Sequence, residues 1–207
     1  MLLVRSSARP DKSLRSATCV TMAAMSFDKH LRRFFPDGEH EDVVPERAVI
    51  DDVLPGFRVR RIAPDDPAEP WIYVTNGAAR GAAPGEAGAE YMLAAPAEDP
   101  VLVEMLAALA GATADPRQRL GVGSVIALGR PWIAGAPAEH LLVAPPYPFG
   151  AGVEVCSTGE RDVVVLWLLP ISAAEARFVR AQGYDAFEEL MRRDAFNIAD
   201  PMRASLV

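Results

Sequence analysis

Two side chains in the second half of the chain have the types a covalent hydrolase needs. Cys156 could supply a thiolate nucleophile, and His140 the base that takes its proton. Both fall on short apolar stretches, so a fold could bring them together. The carboxylate pairs Asp51-Asp52, Asp65-Asp66 and Glu188-Glu189 offer acid–base chemistry of another kind. A cysteine in apolar sequence, however, usually behaves as a small hydrophobe, and each carboxylate pair lies on a polar stretch where solvation accounts for it. Ser124 sits in Gly-Val-Gly-Ser-Val, which is not the Gly-x-Ser-x-Gly elbow. His30, His40 and His140 are scattered, without the paired spacing of a zinc site. Gly121-Val-Gly123 lacks the third glycine of a dinucleotide loop, and no Gly-Lys-Ser/Thr follows any glycine run. These residues predict a non-enzymatic protein with no metal or other cofactor. A hydrolase using Cys156 and His140, or a carboxylate pair, is the rival reading.

The aromatic residues between strands fit a purely structural account least well. Trp132 follows Arg130-Pro131, and Tyr147 and Phe149 stand among prolines. Proline-fixed aromatic loops cost little entropy to order and make good contact surfaces; the alternative is that they fold back as lids on the core. With Asn76, beside a turn glycine, they are the candidate protein-contact residues.

Charge narrows the partner. The chain has 207 residues and a formal charge of −7. Residues 1–21 carry Arg5, Arg9, Lys12 and Arg15 against Asp11 alone, a net +3, which leaves −10 on the rest. An acidic body argues against nucleic acid and suits a basic protein segment. No apolar run approaches the ~20 residues a membrane span requires. Cys19 and Cys156 make no disulfide framework, so a reducing, cytoplasmic setting is expected. Residues 1–25 read as a disordered extension or a start codon placed too far upstream, with Met22 and Met25 as later starts, and residues 26–207 as one domain.

The elements that would position these groups centre on Val163–Leu169, a β-branched run of the kind buried on both faces of a sheet. Pro170 should stop it. Ser172 and Glu175 then form a capping box, Gly183 ends that helix, and Asp185 with Glu188 caps a second. Upstream, Ser26–Phe35 reads as an amphipathic helix, Glu39–Glu46 as an acidic loop and Val49–Leu54 as a short turn of helix or a strand. Strands are predicted over 57–62, 71–75, 90–94, 122–128, 139–143 and 153–156. Residues 78–88 read as a mobile surface loop. Asp99-Pro100 opens a helix that buries Val101, Leu102, Met105, Leu106 and Leu109 and ends at Gly111, and the tail from Asn197 is expected to lie along the body. Short turns between strands and helices at both ends and in the middle predict an α+β fold, a mixed, largely antiparallel sheet flanked by helices.

Several motifs run in the order of the suppressor-of-fused domain: Thr75-Asn-Gly77, Glu90-Tyr-Met-Leu93, Leu128-Gly-Arg-Pro-Trp132, His140-Leu-Leu-Val143 with Pro146-Tyr147, and Leu166-Trp-Leu-Leu-Pro170-Ile with Ala174-Glu175 and Gly183. The chain thus resembles that family from Ser26 to its end. The resemblance implies a mixed sheet flanked by helices and a binding role without catalytic residues. In animals a similar domain sequesters a transcription factor, held as an added strand between two lobes; this sequence is expected to supply one of the two. Similar stand-alone domains in bacteria include immunity proteins that neutralise toxins. The expected partner is therefore one protein, a toxin domain or a basic segment, bound through loops and an open strand edge. A purely oligomeric scaffold is a third reading.

Overall fold

A computed structural model describes residues 25–46, 49–193, 197 and 200–207. The predicted N-terminal extension, apart from Met25, lies outside the described residues. Eight strands form one sheet in the order β1-β2-β3-β4-β8-β6-β5, with β7 also pairing β8. These are β1 (Glu39–Val43), β2 (Arg58–Ala63), β3 (Trp71–Asn76), β4 (Gly88–Ala95), β5 (Val125–Ala127), β6 (His140–Ala144), β7 (Val155–Ser157) and β8 (Asp162–Ile171). Every pairing is antiparallel except β4 with β8.

Strand β8 is buried on both faces, as its unbroken apolar run requires. Leu166 and Leu168 point to one side, where α2 (Val49–Val53) contributes Ile50 and α3 (Pro100–Thr113) contributes Leu102, Val103 and Leu106. Val165, Trp167, Leu169 and Ile171 point to the other. There α1 (Phe27–Phe34) supplies Leu31, α4 (Ala173–Gln182) supplies Ala176 and Val179, and α5 (Tyr184–Arg193) supplies Phe187 and Met191. Alternation along an extended chain sends successive side chains to opposite faces, so a dry strand demands a helical layer on each.

The caps behave as their residue types dictate. Ser26 accepts from Lys29 N–H and Asp99 from Val101 N–H. Ser172 Oγ accepts from Glu175 N–H while the Glu175 carboxylate accepts from Ser172 N–H. Asp185 differs from expectation: α5 already begins at Tyr184, so Asp185 lies inside its first turn.

Other expectations are corrected. Glu39–Glu46 is an edge strand over its first five residues, because pairing to β2 sets Glu41 and Asp42 opposite Arg61 and Arg60. Pro170 does not end β8, which runs on to Ile171 beside β6. Strand β5 is shorter than the predicted 122–128; a turn bond from Ser124 N–H to Gly121 O occupies its start. Gly111 lies within α3, and the buried face of α3 is Leu102, Val103, Leu106, Ala107 and Ala110, leaving Val101 exposed. That helix is apolar nearly all round, so spacing alone could not fix which stripe faces the sheet.

Trp167 stands at the centre of the α4–α5 side, with the rings of Tyr147 and Phe149 edge-on to it at 5.9 and 6.1 Å. Trp167→Ala should lower the unfolding free energy by about 3–5 kcal/mol in urea denaturation; a loss under about 1 kcal/mol would show that the core does not depend on this contact.

Candidate functional site

The proposed catalytic pair is taken apart by the register of the sheet. His140 stands opposite Ile171 and Cys156 opposite Val163, both along β8. Eight residues of strand separate them, about 26 Å at roughly 3.3 Å per residue, so no proton can pass between their side chains. Cys156 is a buried free thiol packed with Ala79 and Val163, and burial pushes its pKa up. It lacks the electropositive, accessible setting of a reactive cysteine. The carboxylate pairs are used locally: Asp51 accepts from Gly56 N–H, Asp66 from Ala68 N–H, and Glu188 and Glu189 pair with Arg192.

The four predicted contact residues do not form one surface. Trp132 is 2% exposed and folds back onto the α3 side of the core, so as an exposed loop contact it is corrected. Its backbone N–H bonds to Ala138 O, drawing the intervening loop back over the sheet. Tyr147 is 43% exposed, with its ring against Trp167 and its hydroxyl 3.5 Å from Met191 Sδ. Burial of that hydroxyl, with the Glu188 carboxylate nearby, pushes the phenol up to about 12, so it stays neutral at physiological pH. Phe149 is half-buried between Phe35 and Trp167. Asn76 is the last residue of β3, half-buried opposite Arg58.

Beyond Asn76 the first part of the expected mobile loop, residues 77–82, is instead bolted down, while residues 84–87 are exposed. Glu90 enters the apolar strand β4 at 3% exposure and accepts hydrogen bonds from the N–H groups of Gly77, Ala78 and Ala79 and from the Thr75 hydroxyl. Thr75 Oγ1 in turn accepts from Tyr91 N–H. Gly77 takes a φ of 126°, which turns three successive N–H groups onto one carboxylate. A Cβ at Gly88 would lie 2.5 Å from Ala79, so only glycine lets the loop sit this close to β4. Arg161 completes the clamp by donating to Ala79 O and Ala82 O. Sequence reasoning missed Glu90; the signal was a lone acid within Glu-Tyr-Met-Leu-Ala, since a charge inside a buried strand needs partners.

Strand β5 is one of the two end strands of the sheet: among the described residues no strand pairs its outer side. Leu128 N–H bonds to Glu139 O and Val143 N–H to Ser124 O, and by the alternation of an antiparallel ladder the main-chain groups of Val125 and Ala127 point outward. Beside this edge lies a groove of about 300 Å³ whose walls include Met105 and Leu109 of α3, Ile126 of β5, Leu128 and Trp132. Met105 and Leu109, half-buried against the core, thus turn part of their apolar surface into this groove. The indole N–H of Trp132 has no hydrogen-bond partner among the described residues.

The family model described as Suppressor of fused protein (SUFU) matches residues 53–204. The chain belongs to the suppressor-of-fused family. Every motif that suggested the kinship, from Thr75 to Gly183, lies inside the match. A solved structure titled as a putative SUFU homolog from Neisseria gonorrhoeae aligns with a TM-score of 0.77 and 29% identity over 86% of this chain and 93% of that one. The structure titled the Sufu-Fu complex aligns at 0.61 and 13% identity, over 86% and 89%. Drosophila Suppressor of Fused aligns at 0.62 and 12% identity, over 86% of this chain and 50% of that one, so the chain spans half the length of that protein. At such identities these two likenesses speak for the suppressor-of-fused fold. No curated protein matches the chain in sequence. No helix among the described residues is long and apolar enough to cross a membrane.

Several suppressor-of-fused motifs meet in the clamp and in the wall of the groove. The clamp makes a measurable demand. Burial raises the Glu90 carboxyl from 4.5 to about 7, against the downward pull of Thr75 and the three backbone donors. Between those values the folded state holds a proton that the unfolded chain has released, so this site's contribution is full at the acid end and falls as pH rises through the window. Glu90→Gln removes the titration and should cost about 1 kcal/mol at pH 5 through a lost acceptor. Relative to the parent the variant should gain stability towards pH 8. Urea denaturation across this range checks it, and a parent–variant difference independent of pH would refute the assignment.

Proposed function

We propose that this suppressor-of-fused chain is a non-enzymatic binding domain that takes an extended segment of one protein partner along β5. The observation that carries the reading is the pairing of outward-facing main-chain groups at Val125 and Ala127 with an apolar groove beside them. An added strand draws affinity from main-chain hydrogen bonds and selectivity from pockets for alternate side chains. Met105, Leu109 and Ile126 offer such a pocket, and the buried Trp132 backs its wall from the core side. The structure titled the Sufu-Fu complex supports the reading, since there a protein of this fold is caught with a protein partner. Tyr147, Phe149 and Asn76 lie outside the groove and are not assigned to it.

In its finer form the proposal makes the partner a toxin domain with a basic segment, neutralised in the cytoplasm. The charge of −10 beyond residue 21 supports this, since opposite potentials speed encounter, and it disfavours nucleic acid. The hydrolase reading loses its main support with the separation of Cys156 from His140.

Ala127→Pro is the direct test. It removes an outward N–H without breaking a bond to β6, and proline is tolerated on such an edge. Affinity capture with the full chain, followed by mass spectrometry, should recover one dominant protein, and the variant should hold it at least about tenfold more weakly in calorimetry while unfolding within about 1 kcal/mol of the parent. Equal affinity would exclude the β5 edge. Co-expression with a toxin-like product of a neighbouring gene should restore growth; failure would reject the neutralisation version alone.

A further inference from the structure

A second groove lies on the opposite face of the sheet, at the far end from β5. Its floor and walls are Phe34 and Phe35 at the end of α1, Ile62 of β2, Ile72 of β3, and Phe149. Its volume is about 390 Å³, near the low end of the roughly 300–1,000 Å³ typical of ligand sites, which suits one or two bulky side chains. Pro36, Pro64, Pro70 and Pro148 stiffen its margin, so little order remains to be imposed on binding.

The charge around this groove has one sign. Asp37, Asp65 and Glu69 stand on the rim, all exposed, and no Lys or Arg lines it. Among the described residues none of the three acids takes part in an ion pair. The arginines of β2 are committed elsewhere: Arg60 to Asp28 and Asp42, and Arg61 to Glu41 and Glu98. The neighbouring acids are thus neutralised within the fold and the rim acids are left for something outside it. An apolar floor under uncompensated carboxylates complements an apolar side chain flanked by cations.

We propose that this groove is a second protein-docking site, which takes a short partner segment carrying one or two bulky apolar residues flanked by Lys or Arg. Phe149, which the sequence marks as a contact residue, is one of the three aromatic residues that line this site, with Phe34 and Phe35. The proposal does not rest on the β5 reading, because β2 and β3 are separated from β5 by β4, β8 and β6.

The probes are two matched panels of labelled nonapeptides with a central Leu, Phe or Trp, one flanked by Lys and Arg and the other by Asp and Glu, titrated into the full chain by fluorescence anisotropy. Members of the basic panel should bind, and amide shifts on the isotope-labelled chain should cluster at residues 34–38, 62–72 and 148–150. Binding should weaken on raising salt from about 50 to about 500 mM, as screening requires. The double substitution Asp65→Lys, Glu69→Lys, on exposed side chains, should leave the melting temperature unchanged and weaken binding by about tenfold or more. Ala127→Pro should bind the basic peptides as the parent does, so this result stands apart from the test of the β5 edge. No binding in the basic panel, equal binding of the acidic panel, undiminished binding by the charge-reversed variant, or shifts confined to β5 would each overturn the proposal.

Discussion

The architecture depends on keeping one extended strand dry on both sides. Seven consecutive apolar residues from Val163 leave no polar face to turn outward, so β8 cannot lie at an edge or under a single layer. Strands β4, β6 and β7 satisfy its main-chain groups, α2 and α3 cover one face, and α1, α4 and α5 cover the other. The remaining strands of the main path extend outward from that centre and end at β1 and β5, whose outer sides no strand pairs among the described residues. Availability for a partner is thus a by-product of how the centre is protected.

Charged groups carried inside hold the periphery in place, each with several partners. Arg60, 5% exposed, ties β2 to Asp42 of β1 and Asp28 of α1. Glu175, fully buried, caps its own helix and receives both Arg203 and the Leu206 N–H from the end of the chain. Burial pushes Glu175 up, but the Arg203 bonds and the backbone donors leave it below the usual carboxylate range. Glu90 is raised instead, because its partners are neutral donors. The contrast shows what decides the charge state of an internal acid: a cation in contact, more than the number of hydrogen bonds.

Much of the frame was legible from local chemistry. The capping box at Ser172 and Glu175, the Asp99-Pro100 start and the central run of β8 rest on interactions within a few residues, and each appears as read. What escaped depends on tertiary partners. Glu39–Val43 is polar and reads as a loop until β2 brings arginines opposite it. The stripe of α3 that meets the sheet is set by the sheet, since nearly every side of that helix is apolar. Trp132 and Phe149 looked alike as aromatic residues near prolines, yet one is buried where its N–H bonds to Ala138 O and the other is half-buried on the opposite face of the sheet. The order of the sheet, and with it the distance that separates Cys156 from His140, was not accessible from periodicity at all.

The lone parallel pairing among the described strands carries a cost in time. Gly88 of β4 aligns with Val163 of β8, and the intervening chain contains α3, β5, β6 and β7. Strands β1 to β4 close as neighbours, but the centre of the sheet must wait for a contact across a long loop, whose entropy opposes it until native packing compensates. Strand β7 can pair β8 across a short turn, but during that wait the side of β8 that β4 will cover has no partner, and it is there that a chain newly made, or one recovering from denaturation, would be most prone to meet another copy of itself.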